Sequence, residues 1–135
     1  MTLKSEGKGQ RKAIILIVDS NPHVRELLSH FLQEAGCAVE FEADGVRALE
    51  RAREVIPDII ITEILVPVLD GLALCRKLRA DPKTRGVAIL VFSVLAVGGR
   101  AREAGADAFL QKPLSDQLLV DTVRQLLEAP KENSA

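Results

Sequence analysis

The chain has 135 residues, of which 47% are hydrophobic and 27% charged, and its formal net charge at pH 7 is −1. These values fit one soluble globular domain whose core needs neither a disulfide nor a structural metal, so Cys37 and Cys75 are expected to be reduced. The interspersed charge argues against nucleic-acid and membrane-surface binding, and no apolar run approaches the roughly 18 residues of a membrane span, so we expect a cytoplasmic protein.

The two ends of the sequence are polar and show no apolar periodicity. We expect residues 1–11 to form a flexible lead-in and residues 129–135 to form a flexible tail or the start of a linker. The folded domain is therefore predicted to span residues 12–128.

Apolar patterns of two kinds alternate through the first half of this domain. A continuous, mostly β-branched run at 13–18 predicts a strand buried on both faces, and an amphipathic helix follows it until Gly36. Asp44 begins a second helix, which is predicted to end near Val55.

The segment at 38–43 lies between these two helices and predicts the second strand. Its residues alternate in polarity, with Val39 and Phe41 on an apolar face and Glu40 and Glu42 on a polar one. A strand with one polar face is typical of a sheet edge.

The second half of the domain continues the alternation of strands and helices. Strands are predicted at 59–62, 88–92 and 108–110, and helices at 72–80, shortly before Gly105 and after Ser115. Five strands that alternate with five helices require a parallel sheet covered on both faces, because each crossover is helical and right-handed. The sequence therefore predicts a doubly wound, three-layer α/β/α sandwich.

Polar residues follow four of the five predicted strands directly. Ligands of open parallel sheets bind outside the carboxyl ends of the strands, so these side chains are expected to share one rim. They are two acids, two hydroxyls and a lysine with its following proline: Asp19 and Ser20 after the first strand, Glu63 after the third, Ser93 after the fourth, and Lys112 and Pro113 after the fifth.

The sequence resembles the receiver domains of two-component response regulators in three segments, ILIVDSNPHVRELLSHFLQEAG, PDIIITEILVPVLDGLALCRKLRADP and AGADAFLQKPLSDQLL, and over about residues 13–128. The resemblance implies a flavodoxin-like fold with strand order 2-1-3-4-5. It also implies a pocket in which an Asp takes a phosphoryl group from a histidine kinase, an acidic pair binds Mg²⁺, and a hydroxyl and a lysine hold the phosphoryl oxygens. Such a domain is a signalling module and not an enzyme.

Two positions of this sequence depart from the receiver pattern. Ser20 stands where the second acid of the pair is expected, and Glu63 stands where the phosphoacceptor Asp is expected. The remaining positions match: Asp19 as the first acid, Ser93 as the hydroxyl, Lys112 as the lysine, Pro113 as its successor after a bond that is often cis, and Phe109 at the aromatic switch position, where Phe lacks the hydroxyl of Tyr.

The departures predict a degenerate phosphoacceptor site. Asp19, Glu63 and the backbone oxygen of Leu65 remain as candidate Mg²⁺ ligands, so only weak Mg²⁺ binding and no other cofactor are expected. Glu63 carries its carboxylate roughly 1 Å further than an Asp, and a displacement of that size can slow transfer about a hundredfold. Either Glu63 pairs with Lys112 and partly mimics the phosphorylated state, or it is solvated at the rim and unpaired.

The expected function is a phosphorylation-independent receiver that acts through a protein partner, either a kinase or a downstream effector. Two alternatives stay open: a receiver that still accepts phosphate from a histidine kinase or a small phosphodonor, and the receiver part of a larger regulator with an output domain such as DNA binding. The stretch from Ser93 to Gly105 is shorter than in most receivers, so its helix is expected to be short. A homodimer through the fourth helix, fifth strand and fifth helix is a further expectation, with a geometry that this short helix would alter.

Overall fold

The computed structural model describes residues 11–113 and 115–129. Five parallel strands form one sheet in the order β2-β1-β3-β4-β5, which confirms the predicted doubly wound fold and strand order. The strands are β1 (Ile14–Val18), β2 (Ala38–Glu42), β3 (Ile59–Thr62), β4 (Ala88–Ser93) and β5 (Ala108–Gln111).

One helix follows each strand, and side chains cap most of the helix starts. The Asn21, Asp44, Asp70 and Ser115 side chains each accept a hydrogen bond from a backbone amide of the first helical turn, which pairs one of the otherwise free amides there. The helices are α1 (Pro22–Glu34), α2 (Gly45–Val55), α3 (Gly71–Ala80), α4 (Gly98–Glu103) and α5 (Asp116–Glu128).

The continuous apolar strands supply two cores, one on each face of the sheet. Leu16 and Ile60 pack with α2, α3 and α4 on one face. Ile15 and Ile61, one position earlier and later, pack with α1 and α5 on the other face. Every residue of the central strand β3 is buried, so the strand has no solvent face and its sequence shows no alternation.

In the edge strand β2, the alternation of polarity predicts the position of the strand correctly but the burial of Phe41 incorrectly. The strand does lie at the sheet edge, as predicted. Phe41, however, is 47% exposed, although its pattern placed it on a buried apolar face. A strand with a neighbour on one side only is covered incompletely, and the Phe41 ring is instead approached by the guanidinium of Arg25, whose Cζ lies 5.8 Å from the ring centroid.

Arg11, the last residue of the predicted flexible lead-in, contacts the residue before the central strand. The guanidinium of Arg11 donates two hydrogen bonds to the carboxylate of Asp58, at 3.0 and 3.1 Å, and that carboxylate also accepts the Ile14 amide at 2.8 Å. At the other end, the Ala129 amide closes α5 on the Gln125 carbonyl at 3.1 Å. The remaining residues of the two predicted flexible segments, 1–10 and 130–135, lie outside the described residues.

Both cysteines are buried free thiols, in line with their expected reduced state. Burial raises the pKa of both Cys37 and Cys75 to about 11, so neither is a reactive thiolate at neutral pH. No helix within 11–113 and 115–129 is long and apolar enough to cross a membrane.

Candidate functional site

The carboxyl ends of β1, β3, β4 and β5 bring four of the predicted site residues into one pocket. Asp19 directly follows β1, Glu63 directly follows β3, Ser93 ends β4, and Lys112 follows β5. All four are largely buried, with side chains that are 5% exposed for Asp19 and Glu63 and 13% for Lys112. Residues from four strand ends therefore form one polar cluster at the rim of the sheet.

Lys112 lies between the two acids of the pocket. Its Nζ is 2.8 Å from Oδ2 of Asp19 and 3.0 Å from Oε1 of Glu63. The ammonium also lies 5.4 Å from the centroid of the Phe92 ring, a cation–π contact. The ammonium therefore occupies the space between the two carboxylates.

Both carboxylate oxygens of Glu63 accept hydrogen bonds. Oε2 accepts from the Ser93 hydroxyl in a very short hydrogen bond and from the backbone amides of Ile64 and Leu65, at 2.7 and 3.3 Å. Oε1 accepts from the Val94 amide at 3.2 Å and lies at the Lys112 ammonium. Five donors therefore surround one carboxylate.

These contacts shift the pKa values of the pair in opposite directions. Burial alone would raise the pKa of Glu63, but the hydrogen bonds from Ser93, Lys112 and the Leu65 amide outweigh it and hold the pKa below its ordinary value. Burial alone would lower the pKa of Lys112, but its bonds to Asp19 and Glu63 raise it. The two groups are therefore an ion pair at neutral pH.

The local backbone fixes Glu63 from both sides. The Thr62 hydroxyl donates to the Glu63 carbonyl at 2.9 Å. Gly71, the first residue of α3, passes so close to that carbonyl that a Cβ at this position would collide with it. A glycine is required there because the helix start is pressed against the strand end.

The other predicted site residues lie around the pocket. Ser20 is exposed beside it, and Pro113 follows a cis bond from Lys112, as the resemblance implies. Leu65 turns its amide toward Glu63, and its side chain is 57% exposed. Phe109 is partly buried and packs on the core with Leu95 and Val97.

The two open alternatives for Glu63 are distinguished by its surroundings. The alternative in which Glu63 is solvated and unpaired is wrong, because the residue is 5% exposed and contacts Lys112. The methylene that Glu has beyond Asp carries its carboxylate as far as the lysine and the Ser93 hydroxyl, instead of out to the solvent.

Protein groups already engage the side-chain oxygens of the candidate Mg²⁺ ligands in this arrangement. Asp19 turns one carboxylate oxygen to the Asn21 amide at 2.9 Å and the other to Lys112 at 2.8 Å. Glu63 has both oxygens engaged, and the neutral Ser20 adds no charge. The part of the chain that the structure describes contains no group of three His, Cys, Asp or Glu residues able to hold a metal.

Comparison with known families identifies the family of this domain. A family model for the response regulator receiver domain matches residues 15–124. The chain therefore belongs to the receiver domain family. Receivers are signalling modules of two-component systems, which agrees with the function class predicted from the sequence.

Curated relatives are longer than this receiver. RpaA of Synechocystis, described as a DNA-binding dual master transcriptional regulator, is 32% identical over 116 residues, which cover 84% of this chain and 48% of RpaA. The response regulator PleD of Caulobacter vibrioides is 37% identical over 117 residues, which cover 84% of this chain and 26% of PleD. The chain thus spans between a quarter and a half of the length of these relatives.

Solved receiver structures share the fold over nearly their whole length. A protein of Chloroflexus aurantiacus described as a response regulator is 34% identical with a TM-score of 0.85, over 88% of this chain and 100% of that chain. The receiver domain of a sensor histidine kinase from Pseudomonas aeruginosa is 28% identical with a TM-score of 0.82, over 88% of this chain and 100% of that chain. Its structure holds a magnesium ion in the active-site cleft.

Sequence reasoning missed the groups that saturate the Glu63 carboxylate. The amides of Ile64 and Val94 carry no side-chain signature, so no sequence pattern could have indicated them. The sequence indicates that Phe92 is an ordinary core residue, because its position under Lys112 depends on how β4 and β5 pair. Arg25, which donates to the Asp19 carbonyl at 2.7 Å, reads as an exposed helical arginine.

Proposed function

We propose that this receiver signals without being phosphorylated, and that a protein partner recognises a surface that the pocket holds in one state. The observation that carries the proposal is the saturation of Glu63, whose two carboxylate oxygens accept from four hydrogen-bond donors and the Lys112 ammonium. In an active phosphoacceptor, by contrast, one oxygen must be free to attack.

Two properties of Glu63 oppose phosphoryl transfer to it. Attack on phosphorus needs an accessible oxygen in line with the leaving group, whereas this carboxylate is 5% exposed. Hydrogen bonds and an ion pair withdraw electron density from both oxygens and make them poorer nucleophiles. The lowered pKa has the same cause.

The weakened metal site opposes transfer as well. Transferring phosphoryl groups are stabilised by Mg²⁺, which prefers several oxygen ligands. Here Asp19 and Glu63 both face the Lys112 ammonium, at 2.8 and 3.0 Å, so a cation would have to displace the lysine. We therefore expect Mg²⁺ to bind weakly.

The same contacts support partial mimicry of the phosphorylated state. The receiver family uses its lysine and hydroxyl to hold phosphoryl oxygens, and here Lys112 and Ser93 both hold a Glu63 oxygen. The mimicry is partial because a carboxylate brings one negative charge where a phosphoryl group brings nearly two.

Mass spectrometry with a small phosphodonor tests the proposal. The protein is incubated with Mg²⁺ and acetyl phosphate, and its intact mass is recorded. We expect no adduct on the wild type. The double variant Ser20→Asp/Glu63→Asp restores both acids and is expected to gain a labile phosphoryl group, which shows that the donor and the remaining pocket are competent.

The opposite result would support the phosphoacceptor alternative. A labile adduct on the wild type that disappears in Glu63→Gln would overturn phosphorylation-independent signalling. The single variant Ser20→Asp separates the two departures, because it restores the metal-binding acid and leaves Glu63 in place. We expect this variant to bind Mg²⁺ more tightly and still to remain unmodified.

A second candidate function is the receiver part of a larger regulator with a DNA-binding output domain. It is supported by the lengths of the relatives, since the chain spans 48% of RpaA, and RpaA is described as DNA-binding. Immunoblotting of native cells with an antibody against this domain is the test. A product near 14.7 kDa would count against this candidate, and a product about twice as large would support it.

A further inference from the structure

Arg25 links the edge of the sheet to the pocket. It lies in the first turns of α1, and its Nη1 donates to the backbone carbonyl of Asp19 at 2.7 Å. Its Cζ lies 5.8 Å from the centroid of the Phe41 ring on the edge strand. One guanidinium therefore contacts both the turn that carries Asp19 and an aromatic residue outside the pocket.

Hydrogen bonds engage the amide, the carbonyl and both carboxylate oxygens of Asp19. Its amide donates to the Glu42 carbonyl at 3.2 Å, and its Oδ1 accepts the Asn21 amide at 2.9 Å. Its Oδ2 accepts from Lys112 at 2.8 Å. The Arg25 guanidinium donates to the carbonyl of Asp19, which belongs to the peptide that follows the Asp19 Cα.

We propose that Arg25 is a positioning residue for the pocket, which holds the Asp19 peptide so that the carboxylate faces Lys112, and that Phe41 supplies the aromatic face that keeps the guanidinium in place. The half-exposed Phe41 ring would then serve to hold the guanidinium, a role other than filling the core. The proposal deepens the proposed function, because it concerns how the same ion-paired pocket is held.

The geometry gives each partner a separate contribution. The guanidinium is planar, so it can donate to a carbonyl at its edge while its face lies over an aromatic ring. A lysine at position 25 could still donate to the Asp19 carbonyl but would stack less well on Phe41. A methionine keeps much of the aliphatic length and loses the donor.

Site-resolved acylation of Lys112 tests the proposal on the protein alone. The ε-amine of Lys112 is shielded by two carboxylates and is 13% exposed, whereas Lys77 on α3 is exposed. Acetylation rates of both lysines are measured by peptide mass spectrometry. Arg25→Met is expected to raise the Lys112 rate several-fold and leave the Lys77 rate unchanged, and Arg25→Lys is expected to restore part of the protection.

Arg51→Met is the matched control. Arg51 also lies beside the edge strand and pairs with Glu40 and Glu54, at 2.6 and 3.1 Å, but these partners are outside the pocket. This variant loses the same kind of side chain and is expected to keep the wild-type Lys112 rate. An equal rise of the Lys112 rate in Arg51→Met would show that losing either arginine loosens the fold in general, and it would overturn the proposal.

Phe41→Leu keeps the inference testable if Arg25→Met does not fold. It preserves an aliphatic side chain on β2 and removes the ring, so a smaller rise in the Lys112 rate is expected. If Arg25→Met folds and acetylates Lys112 at the wild-type rate, the positioning role is overturned. If Arg25→Met does not fold, a wild-type Lys112 rate in Phe41→Leu overturns it. These outcomes are independent of acetyl phosphate labelling, whose positive result would overturn the proposed function alone.

Discussion

At the scale of single residues, Glu63 and Lys112 make the pocket dependent on pH at both extremes. The pKa of Glu63 is held below its ordinary value of 4.5, so its contribution to stability is present above pH 4.5 and is lost as the pH falls through the folded-state pKa. The pKa of Lys112 is raised above 10.5, so its contribution is complete below pH 10.5 and is lost as the pH rises through the folded-state pKa. The pair is stabilising across the neutral range between these limits.

Glu63→Gln tests this dependence. At neutral pH the variant is expected to lose about 1–3 kcal/mol in free energy of unfolding, because Lys112 and several buried donors lose an anionic acceptor. The loss should shrink as the pH falls from 4.5 through the lower folded-state pKa, below which the wild-type carboxylate is neutral as well. Urea unfolding at several pH values measures it. Glu40→Gln, which removes a half-exposed partner of Arg51, is expected to cost under about 1 kcal/mol.

Val68 is a strained residue in the loop between β3 and α3. Its φ is +73°, and the Leu69 amide donates to the Pro67 carbonyl at 2.8 Å across it, which makes a three-residue turn. A positive φ brings the Cβ close to the backbone and is rare for a β-branched residue. Since Val68 is 78% exposed, little burial offsets this strain.

Val68→Gly is therefore expected to stabilise the protein by about 1 kcal/mol, because glycine adopts a positive φ without steric cost. Chemical denaturation measures the gain. Val94→Gly is the matched control: Val94 is a 53% exposed valine in the adjacent rim loop and has no positive φ. That variant should lose a few tenths to about 1 kcal/mol through the added freedom of its unfolded chain. Equal effects of the two substitutions would argue against strain at Val68.

At the scale of secondary-structure elements, α4 matters for partner binding because it is short and belongs to the predicted dimer face. The helix has six residues, as the short stretch before Gly105 predicted, and its N-terminal cap residue Val97 makes no side-chain cap hydrogen bond. It begins with Gly98 and Gly99, and Gly98 lies against the Phe109 ring of β5. A homodimer through α4, β5 and α5 stays a prediction, and this short helix would set its geometry.

Alanine at each of the two glycines separates helix propensity from packing. A Cβ at Gly99 would meet no atom of the described residues within 4 Å, so Gly99→Ala is expected to stabilise α4 by up to about 1 kcal/mol. A Cβ at Gly98 would lie 3.2 Å from Cδ2 of Phe109, so Gly98→Ala should gain less and move the ring. NMR shifts of the Phe109 ring protons measure this movement, and a shift in Gly99→Ala alone would contradict the assignment.

At the scale of the whole molecule, the domain is held at both ends of its strands. The pocket lies at the carboxyl ends, and the Arg11–Asp58 pair lies at the opposite end, where the Asp58 amide also donates to the Ile14 carbonyl at 2.8 Å. Arg11 therefore ties the entry of the chain to the start of the central strand.

Arg11→Ala is expected to lower the free energy of unfolding by about 1–2 kcal/mol, because the buried Asp58 carboxylate loses a charged donor. Lys12→Ala, at the exposed neighbouring position, should change it by less than about 0.5 kcal/mol. Thermal or urea unfolding of both variants measures the difference. A truncation that removes residues 1–11 should behave like Arg11→Ala, and equal stability of the truncated and full-length proteins would support the predicted boundary at residue 12.

Sequence patterns were enough to predict the fold and to group four polar residues at one rim of the sheet. Buried strands show as continuous apolar runs, helices as periodic ones, and residues that follow parallel strands must meet at one edge of the sheet, so Asp19, Glu63, Ser93 and Lys112 could be grouped without coordinates. These are local patterns, and the right-handed crossover rule extends them to the order of the layers.

Three features could be learned only from the folded arrangement: Glu63 is paired and not exposed, Phe41 is half-exposed, and Arg25 contacts Asp19. The pairing of Glu63 depends on segments far apart in the chain, because Ser93 and Glu63 are separated by 30 positions. Arg25 lies only six positions after Asp19, but sequence spacing does not specify the direction in which its side chain turns. The saturation of Glu63 depends further on backbone amides of Ile64 and Val94, which every residue except proline possesses. Their direction is set by packing of the β3 and β4 loops, and therefore no side-chain pattern encodes it.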